Sequence, residues 1–351
     1  MRIGLLTSIP LTHRAFFSDW TRRWNDMAHT VFPASGPETE MDVKWQAPDD
    51  MQTIQGLSQQ PSIRTFRSLS SVRAWCTRNQ LDVVLTSTAT ASFVARIRRL
   101  PCPVVYFCHG LHWATRRPVL SDPYQVIERI LLRNTAAVIT MNTDDWFWFG
   151  GNQPRVPQLL LPTGIGLDLN SWGYTPQLSD RSVLKILWVG SMVKRKRPFD
   201  AMHVVRHLQN RGINVELRML GEGPLLAQVQ KVSEAMEGVH VLGKSNPMAH
   251  LQSSHALIHT AEWEGLPRVL LEAAAVGRPS FGYAVKGVRD APGVLTTPRK
   301  LGTGGFAALV ANWWGGHIHP PDVDRSSLDW TSAHDSVTHL LKRVVSEDRS
   351  Y

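Results

Sequence analysis

Cysteine is scarce in this chain: Cys76, Cys102 and Cys108 are all there is among 351 residues. Three thiols give no even disulfide framework and no metal-ligand spacing, which argues against a stapled secreted domain and suits a reducing cytoplasm. Long apolar runs are missing too, so no stretch has the length of a bilayer-spanning helix. The opening MRIGLLTSIPLTHR has few apolar residues before Pro10 and no cleavage-site pattern, so it reads as a first strand and not a signal peptide. Lysine is nearly absent from the first half, where Lys44 alone precedes Lys185. Arginine, with its preference for bidentate phosphate contacts, carries the positive charge there.

What is present describes a globular protein of two domains, each able to bury its own core: 43% hydrophobic and 19% charged residues over this length. The net charge of +9 bears on partners. The basic residues are scattered and no nucleic-acid motif organises them, so nucleic acid is not expected. An anionic membrane surface, holding a lipid-phosphate acceptor, is the partner the charge favours. Thirteen tryptophans would suit an interfacial protein, although most are expected in the core.

Strand and helix patterns alternate along the chain. Arg2–Ser8, Leu81–Ser87, Pro103–Cys108 and Ala136–Met141 read as buried strands. Between the first two, Phe16, Trp20, Trp24 and Met27 recur at helical spacing over Arg14–Met27, a core-packing stripe in preference to a membrane-inserting one. A basic helix carrying Arg96, Arg98 and Arg99 joins the next two strands. Residues Ser35–Ser62 are polar and organise poorly, and Tyr124–Asn134 reads as helical. Ser171–Ser182 has the composition of a linker. Beyond it, strands at Val183–Gly190, Val215–Leu220, Val239–Leu242 and Ala256–Thr260 alternate with helices such as Phe199–Gln209. The alternation predicts an α/β chain of doubly wound parallel sheets, whose ligands bind beyond the carboxyl ends of the strands. The boundaries predicted are a first domain over 1–168, a linker over 169–182, a second domain over 183–328 and a last helix over 329–351.

The second domain is organised around AEWEGLPRVLLEAAAVGRPSFGYAVKGVRD from Ala261 to Asp290. Glu264-Gly265-Leu266 reads as a tight loop, and Pro267 opens a helix from Arg268 to Val276 that Gly277 caps. A loop-to-helix start presents free N–H groups and a positive dipole end, which suits a phosphate. Glu264 in the loop and Glu272 on the helix are poorly placed for an apolar core unless hydroxyls bind them. Earlier, Ser191-Met192-Val193-Lys194-Arg195-Lys196-Arg197 puts four positive residues after a buried strand, placed to neutralise a diphosphate.

Glu264 and Glu272, with Gly265-Leu266-Pro267 between and Gly287-Val288-Arg289-Asp290 after, resemble the donor-site signature of the retaining family 4 glycosyltransferases. That resemblance implies a GT-B fold: two Rossmann-like doubly wound parallel-sheet domains facing a central cleft. It implies transfer of a sugar from a nucleotide-diphosphate donor, with UDP favoured, to a saccharide acceptor in cell-surface polysaccharide, O-antigen or exopolysaccharide assembly. The acceptor would be lipid-linked and the enzyme peripheral on the inner membrane face. Glu272 would hold the ribose and Glu264 a hydroxyl of the donor sugar. Lys196, with Arg195 or Arg197, would stabilise the leaving diphosphate beside Gly190 and Ser191, and Gly221 and Gly223 would border the donor. His109-Gly110, after a strand of the first domain, resembles the family's acceptor-side histidine; Arg116 and Arg117 follow in the same loop, either as grips for an acceptor phosphate or as solvated charge. The chain departs from the family pattern at 9–13, where glycine is absent, at Thr163 and Gly166, at Ser191 for arginine and at Arg197 for glycine.

No metal and no other cofactor is expected. Asp322-Val323-Asp324 has metal-site spacing but falls between prolines and the last helix, His317 and His319 lack a third ligand, and Gly302–Gly305 reads as a loop. Two alternatives accompany the transferase: a non-catalytic nucleotide-sugar-binding or scaffold protein on the same fold, and a GT-B nucleotide-sugar epimerase.

Overall fold

Short apolar runs close into two all-parallel sheets, because each strand carries side chains that must be covered on both faces. The computed structural model describes residues 1–37, 51–60, 63–113 and 122–348, with 63 and 64 by backbone alone. Arg116, Arg117 and part of the polar 35–62 stretch lie outside the described residues. The chain divides into one unit of Met1–Leu161 with Ala333–Tyr351 and another of Pro162–Ser332.

The first unit begins with β1 (Arg2–Leu6), α1 (Pro10–Phe16), α2 (Ser18–Asp26), β2 (Thr30–Ser35) and β3 (Gln52–Thr53). It continues through α3 (Ser68–Arg78), β4 (Val83–Ser87), α4 (Ala89–Arg96), β5 (Val104–Phe107) and α5 (Pro123–Leu131). Then come β6 (Ala137–Thr140), α6 (Thr143–Asn152) and β7 (Gln158–Leu160). The strand order is β3-β2-β1-β4-β5-β6-β7. Ile3, Leu5, Val84 and Val105 have no exposure, and each such side chain taken fully from water contributes about 1.5–3 kcal/mol.

Three expectations are corrected here. The helix expected over 14–27 is two helices broken at Phe17 (φ −128°, ψ 0°). Phe17 turns into the core, and the Ser18 hydroxyl donates back to the Arg14 carbonyl at 3.1 Å. Trp20 and Trp24 do form the core stripe. The Trp24 indole donates to Thr338 Oγ1 at 2.7 Å on α12 (Trp330–Asp348). Second, the basic helix ends at Arg96, so Arg98 and Arg99 lie beyond it, and Arg96 does not face solvent. It is buried, grips Glu128 with two N–H groups at 2.5 and 3.1 Å, and lies 3.8 Å over the Tyr106 ring.

The second unit contains β8 (Leu184–Val189), α7 (Pro198–Gln209), β9 (Val215–Leu220), α8 (Leu226–Ser233) and β10 (Val239–Gly243). After them come α9 (Pro247–Gln252), β11 (Ala256–His259), α10 (Arg268–Val276), β12 (Ser280–Tyr283), β13 (Val294–Thr297) and α11 (Gly302–Trp314). Its order is β10-β9-β8-β11-β12-β13. The third correction is that Gly302–Gly305 is the first turn of α11 and not a loop. Phe306, Ala307 and Val310 pack into the same core as Ala201, Met202 and Val205 of α7, and that burial outweighs the poor helix propensity of glycine. Arg278 is a clamp that sequence alone does not suggest. Its guanidinium donates to the carbonyls of Leu251, Gln252, Thr175 and Pro176 at 2.9–3.0 Å, fastening the 175–176 segment to the sheet unit.

Candidate active site

In the second unit the chain runs outward from β8 through β9 to β10, then returns to the other side of β8 as β11. The switch point of the sheet is therefore between β8 and β11, where α/β sheets open a crevice beyond the strand ends. The loops after these two strands, 190–197 and 260–267, are laced together there. Thr260 Oγ1 is within 2.9 Å of the Lys196 and Arg197 carbonyls and accepts from the Trp188 indole at 2.9 Å. The Glu262 amide donates to the Arg195 carbonyl at 2.8 Å.

This lacing brings Glu264, Arg195 and Lys196 into one cluster. Arg195 Nη1 is 2.9 Å from one Glu264 oxygen, and Lys196 Nζ bonds the other. Arg195 also donates to the Trp263 carbonyl at 2.8 Å and lies 4.7 Å over the Trp263 ring. His259, at the end of β11, is 3.4 Å from Glu264. Burial opposes ionisation of Glu264, but His259, Lys196 and Arg195 overcome it and hold the carboxyl well below the usual carboxylate range. Burial drives His259 the other way, toward the neutral imidazole. Two cations facing one carboxylate leave a net positive charge. Arg197 is directed elsewhere: it donates two hydrogen bonds, of 2.7 and 3.1 Å, to Asp200, which also accepts from the Tyr283 hydroxyl at 3.2 Å.

Pro267 is the residue before α10, with Arg268 its first turn, and no side chain caps this end among the described residues. Glu272 is buried one turn along, and its side chain leans toward the helix start as helix geometry requires. Arg268 Nε lies 3.3 Å away, yet burial raises the carboxyl's pKa above the ordinary value despite that arginine.

Three of the glycines are demanded by backbone contacts. A Cβ on Gly221 (φ +140°) would lie 1.9 Å from the Gly190 carbonyl oxygen. One on Gly223 would lie 2.7 Å from that of Met192, and one on Gly287 would meet the Glu264 and Gly265 carbonyls at 2.5 Å. Ser191 is exposed in the same loop, while Gly265 is buried and Leu266 half-buried.

In the first unit the switch point is between β1 and β4. Ser8 and Thr88 hydroxyls share a 2.5 Å hydrogen bond, and Ser8 Oγ accepts from the Ala91 amide at 3.1 Å. Thr88 has φ +78°, costly for a β-branched residue and characteristic of functional loops. His109 follows β5, stacks on Phe107 at 4.7 Å and shares a 2.5 Å bond with Ser87. Burial pushes its pKa down to about 4, so it is neutral near pH 7. Ser8, Ser87, Thr88 and His259 are missed by the sequence reading, since their partners lie far along the chain; a strand-ending Thr-Ser before a helix was the one available signal. Asp324 caps a short turn at Ser326 N (3.0 Å). No group of three or more His, Cys, Asp and Glu side chains able to hold a metal occurs among the described residues.

The family model described as glycosyl transferases group 1 matches residues 177–292, which contain the Arg195, Lys196, Glu264 and Glu272 set. A second, the glycosyl transferase 4-like domain, matches residues 17–145. The chain belongs to the family 4 glycosyltransferases. This family member is 29% identical over 208 residues to the Bacillus subtilis protein that bears the name glycosyltransferase EpsF, covering 53% of each chain. It is 26% identical over 216 residues to a glycogen synthase of Mycobacterium tuberculosis, covering 57% of this chain and 51% of that one. With the Escherichia coli O-antigen biosynthesis glycosyltransferase WbnH the identity is 23% over 221 residues, covering 61% and 62%. The matches thus span about half to three fifths of the length of these curated relatives. Two solved structures share the fold over nearly all of both chains. A sucrose-phosphate synthase from Thermosynechococcus elongatus superposes with a TM-score of 0.76 at 14% identity, covering 99% of this chain and 100% of that one. Anabaena HepE in complex with UDP superposes at 0.72 and 15%, covering 98% and 100%. The family 4 fold, GT-B with two Rossmann-like parallel-sheet domains, is the architecture of this chain.

Proposed function

We propose that the chain transfers a glycosyl residue, with retention of configuration, from a nucleotide-diphosphate sugar to a saccharide acceptor in cell-surface polysaccharide assembly. The observation that carries this reading is Glu272: a buried carboxylate with one long intramolecular contact, one turn into a helix whose start no side chain caps among the described residues. An ionised carboxylate there accepts two vicinal hydroxyls, as a ribose presents them, while the helix N-terminus faces phosphate. UDP is the favoured nucleotide, in line with the UDP of HepE. A lipid-linked acceptor, a cytoplasmic location against the inner membrane face and a reaction without metal complete the reading.

As the glycosidic bond breaks, negative charge grows on the departing diphosphate. Lys196 and Arg195 supply positive potential at the strand ends for that moment, and a single such donor is worth about a hundred- to thousandfold in turnover. Glu264, held ionised, aligns the donor sugar through a hydroxyl and is released from Lys196 as the phosphates take its place. The acceptor's proton passes to the leaving phosphate on the same face of the sugar. His109, neutral, orients a hydroxyl through one ring nitrogen while Ser87 holds the other.

One observation favours a second reading, a non-catalytic nucleotide-sugar binder: both cations are already engaged by Glu264. Thermal-shift titration with UDP, GDP, ADP and their sugar conjugates, followed by an assay for UDP release from UDP-sugar with acceptor present, tests both. Stabilisation by none of the nucleotides would end the transferase and binder readings together. Stabilisation with no release from any donor would leave the binder.

A further inference from the structure

Helix α5 in the first unit buries polar side chains and exposes apolar ones. Its inward face carries Gln125, Glu128 and Leu131, all buried, with Glu128 locked to Arg96. Its outward face carries Val126, Ile127 and Ile130, and Tyr124 is 56% exposed at its first turn. At 100° per residue the three aliphatic side chains fall on one stripe, and Arg129, with Arg133 just beyond the helix, flanks it. Both arginines are exposed, and no acidic side chain of α5 is.

Next to this helix is α6, joined to it by the Arg129 Nε bond to Asn152 at 2.6 Å. Its Trp146 and Phe147 are also exposed, Phe147 by 68%. Large apolar side chains this exposed on neighbouring helices exceed what a solvated surface normally shows and mark an interaction site.

We infer that the outward face of α5, with Trp146 and Phe147 of α6, docks on an anionic lipid bilayer. The inference deepens the lipid-linked acceptor of the proposed function and names the surface that would meet it. Three observations select a bilayer. The apolar stripe is bordered by arginines, the arrangement of a helix lying in a membrane interface. Trp146 and Tyr124, rings with a polar edge, are exposed on the same two helices. A second copy of the chain packed face to face on this stripe would set Arg129 and Arg133 against their own counterparts. No helix of the described residues is long and apolar enough to cross a membrane, so contact would be from one side.

The test is co-sedimentation of the full chain with phosphatidylglycerol-rich vesicles and with pure phosphatidylcholine vesicles, without donor or acceptor. Binding is expected to the anionic vesicles and to weaken with salt. The pair Arg129→Glu and Arg133→Glu should weaken it by at least about tenfold, each basic residue near such a surface being worth roughly fivefold. The pair Ile127→Ser and Ile130→Ser should weaken it comparably with an unchanged melting point, since both positions are solvated. Brominated lipid should quench the wild-type tryptophan emission more than that of Trp146→Phe. Vesicle binding that is absent in the wild type, or equal in all variants, overturns the inference. So does a dimer seen by light scattering that the serine pair abolishes. Because nucleotides are left out, a failed nucleotide shift would defeat the proposed function and leave this result standing, and the converse also holds.

Discussion

Replacement of Glu272 separates a ligand-binding carboxylate from a structural one. In the unliganded protein the carboxylate is buried, its pKa is raised, and an arginine one turn away lies at 3.3 Å. An i,i+4 pair of this kind contributes about 0.3–0.5 kcal/mol. Burial of the charge works in the opposite direction, so Glu272→Gln, which keeps the volume and drops the charge, should leave the melting point unchanged or slightly higher. The loss in binding is of another size. Hydrogen bonds to a charged group are worth about 1.5–3 kcal/mol each, so two ribose hydroxyls put about 3–6 kcal/mol at stake, over a hundredfold in affinity. Nucleotide at a hundred times its Kd stabilises the wild type by about 2.7 kcal/mol. At about 2–4 °C per kcal/mol for a domain of the size of Pro162–Ser332, that is a shift of roughly 5–11 °C. A hundredfold weaker variant at the same concentration keeps about 0.4 kcal/mol, a shift near 1 °C. Differential scanning fluorimetry with and without nucleotide reads both quantities. An apo protein destabilised by several degrees that still shows the full nucleotide shift would refute the reasoning and mark Glu272 as structural.

Four further outcomes follow from the same geometry. Lys196→Ala should lower kcat about a hundred- to thousandfold with a smaller change in nucleotide affinity, measured by steady-state kinetics and fluorimetry. Glu264 has a depressed carboxyl pKa in the folded chain, so its contribution to stability is complete above the unfolded value near 4.5 and fades as pH falls below it; melting curves against pH should be flatter on the acid side for Glu264→Gln. Arg278→Lys should destabilise the second unit by at least about 2 kcal/mol, because a single ammonium cannot reach four carbonyls held by a planar fork, and urea titration measures the loss. Arg96→Met alone should cost about 3–5 kcal/mol by stranding Glu128, and Arg96→Met with Glu128→Leu should recover most of it in the same titration.

The parallel strands were legible because burial on both faces writes them as continuous apolar runs such as Leu184–Val189 and Ala256–His259. Thr30–Ser35 escaped because Pro33 interrupts it. The neighbouring β3 pairs only with Ala34 and Ser35, so the proline is tolerated where that ladder has not begun. Gly302–Trp314 was misread because four residues rich in glycine look like a loop until their helix is seen packed on α7. In the candidate site, the two glutamates and the basic run carry their spacing in the sequence. Arg197 does not reveal that it is committed to Asp200, three residues on, nor His259 that it faces Glu264. Ser8 and Thr88, eighty positions apart, become neighbours only when β1 and β4 pair. Roles made by long-range pairing leave no local pattern.

The bond between Glu264 and Lys196 has a consequence for selectivity among the many anions of a cell. On the proposed reading, inorganic phosphate arriving at this loop must dislodge an acid without offering it anything in exchange. A sugar nucleotide delivers a hydroxyl to the displaced carboxylate as its phosphates claim the cation. On that reading the resident acid opposes every anion that claims the cation, and opposes least the one that arrives attached to a sugar.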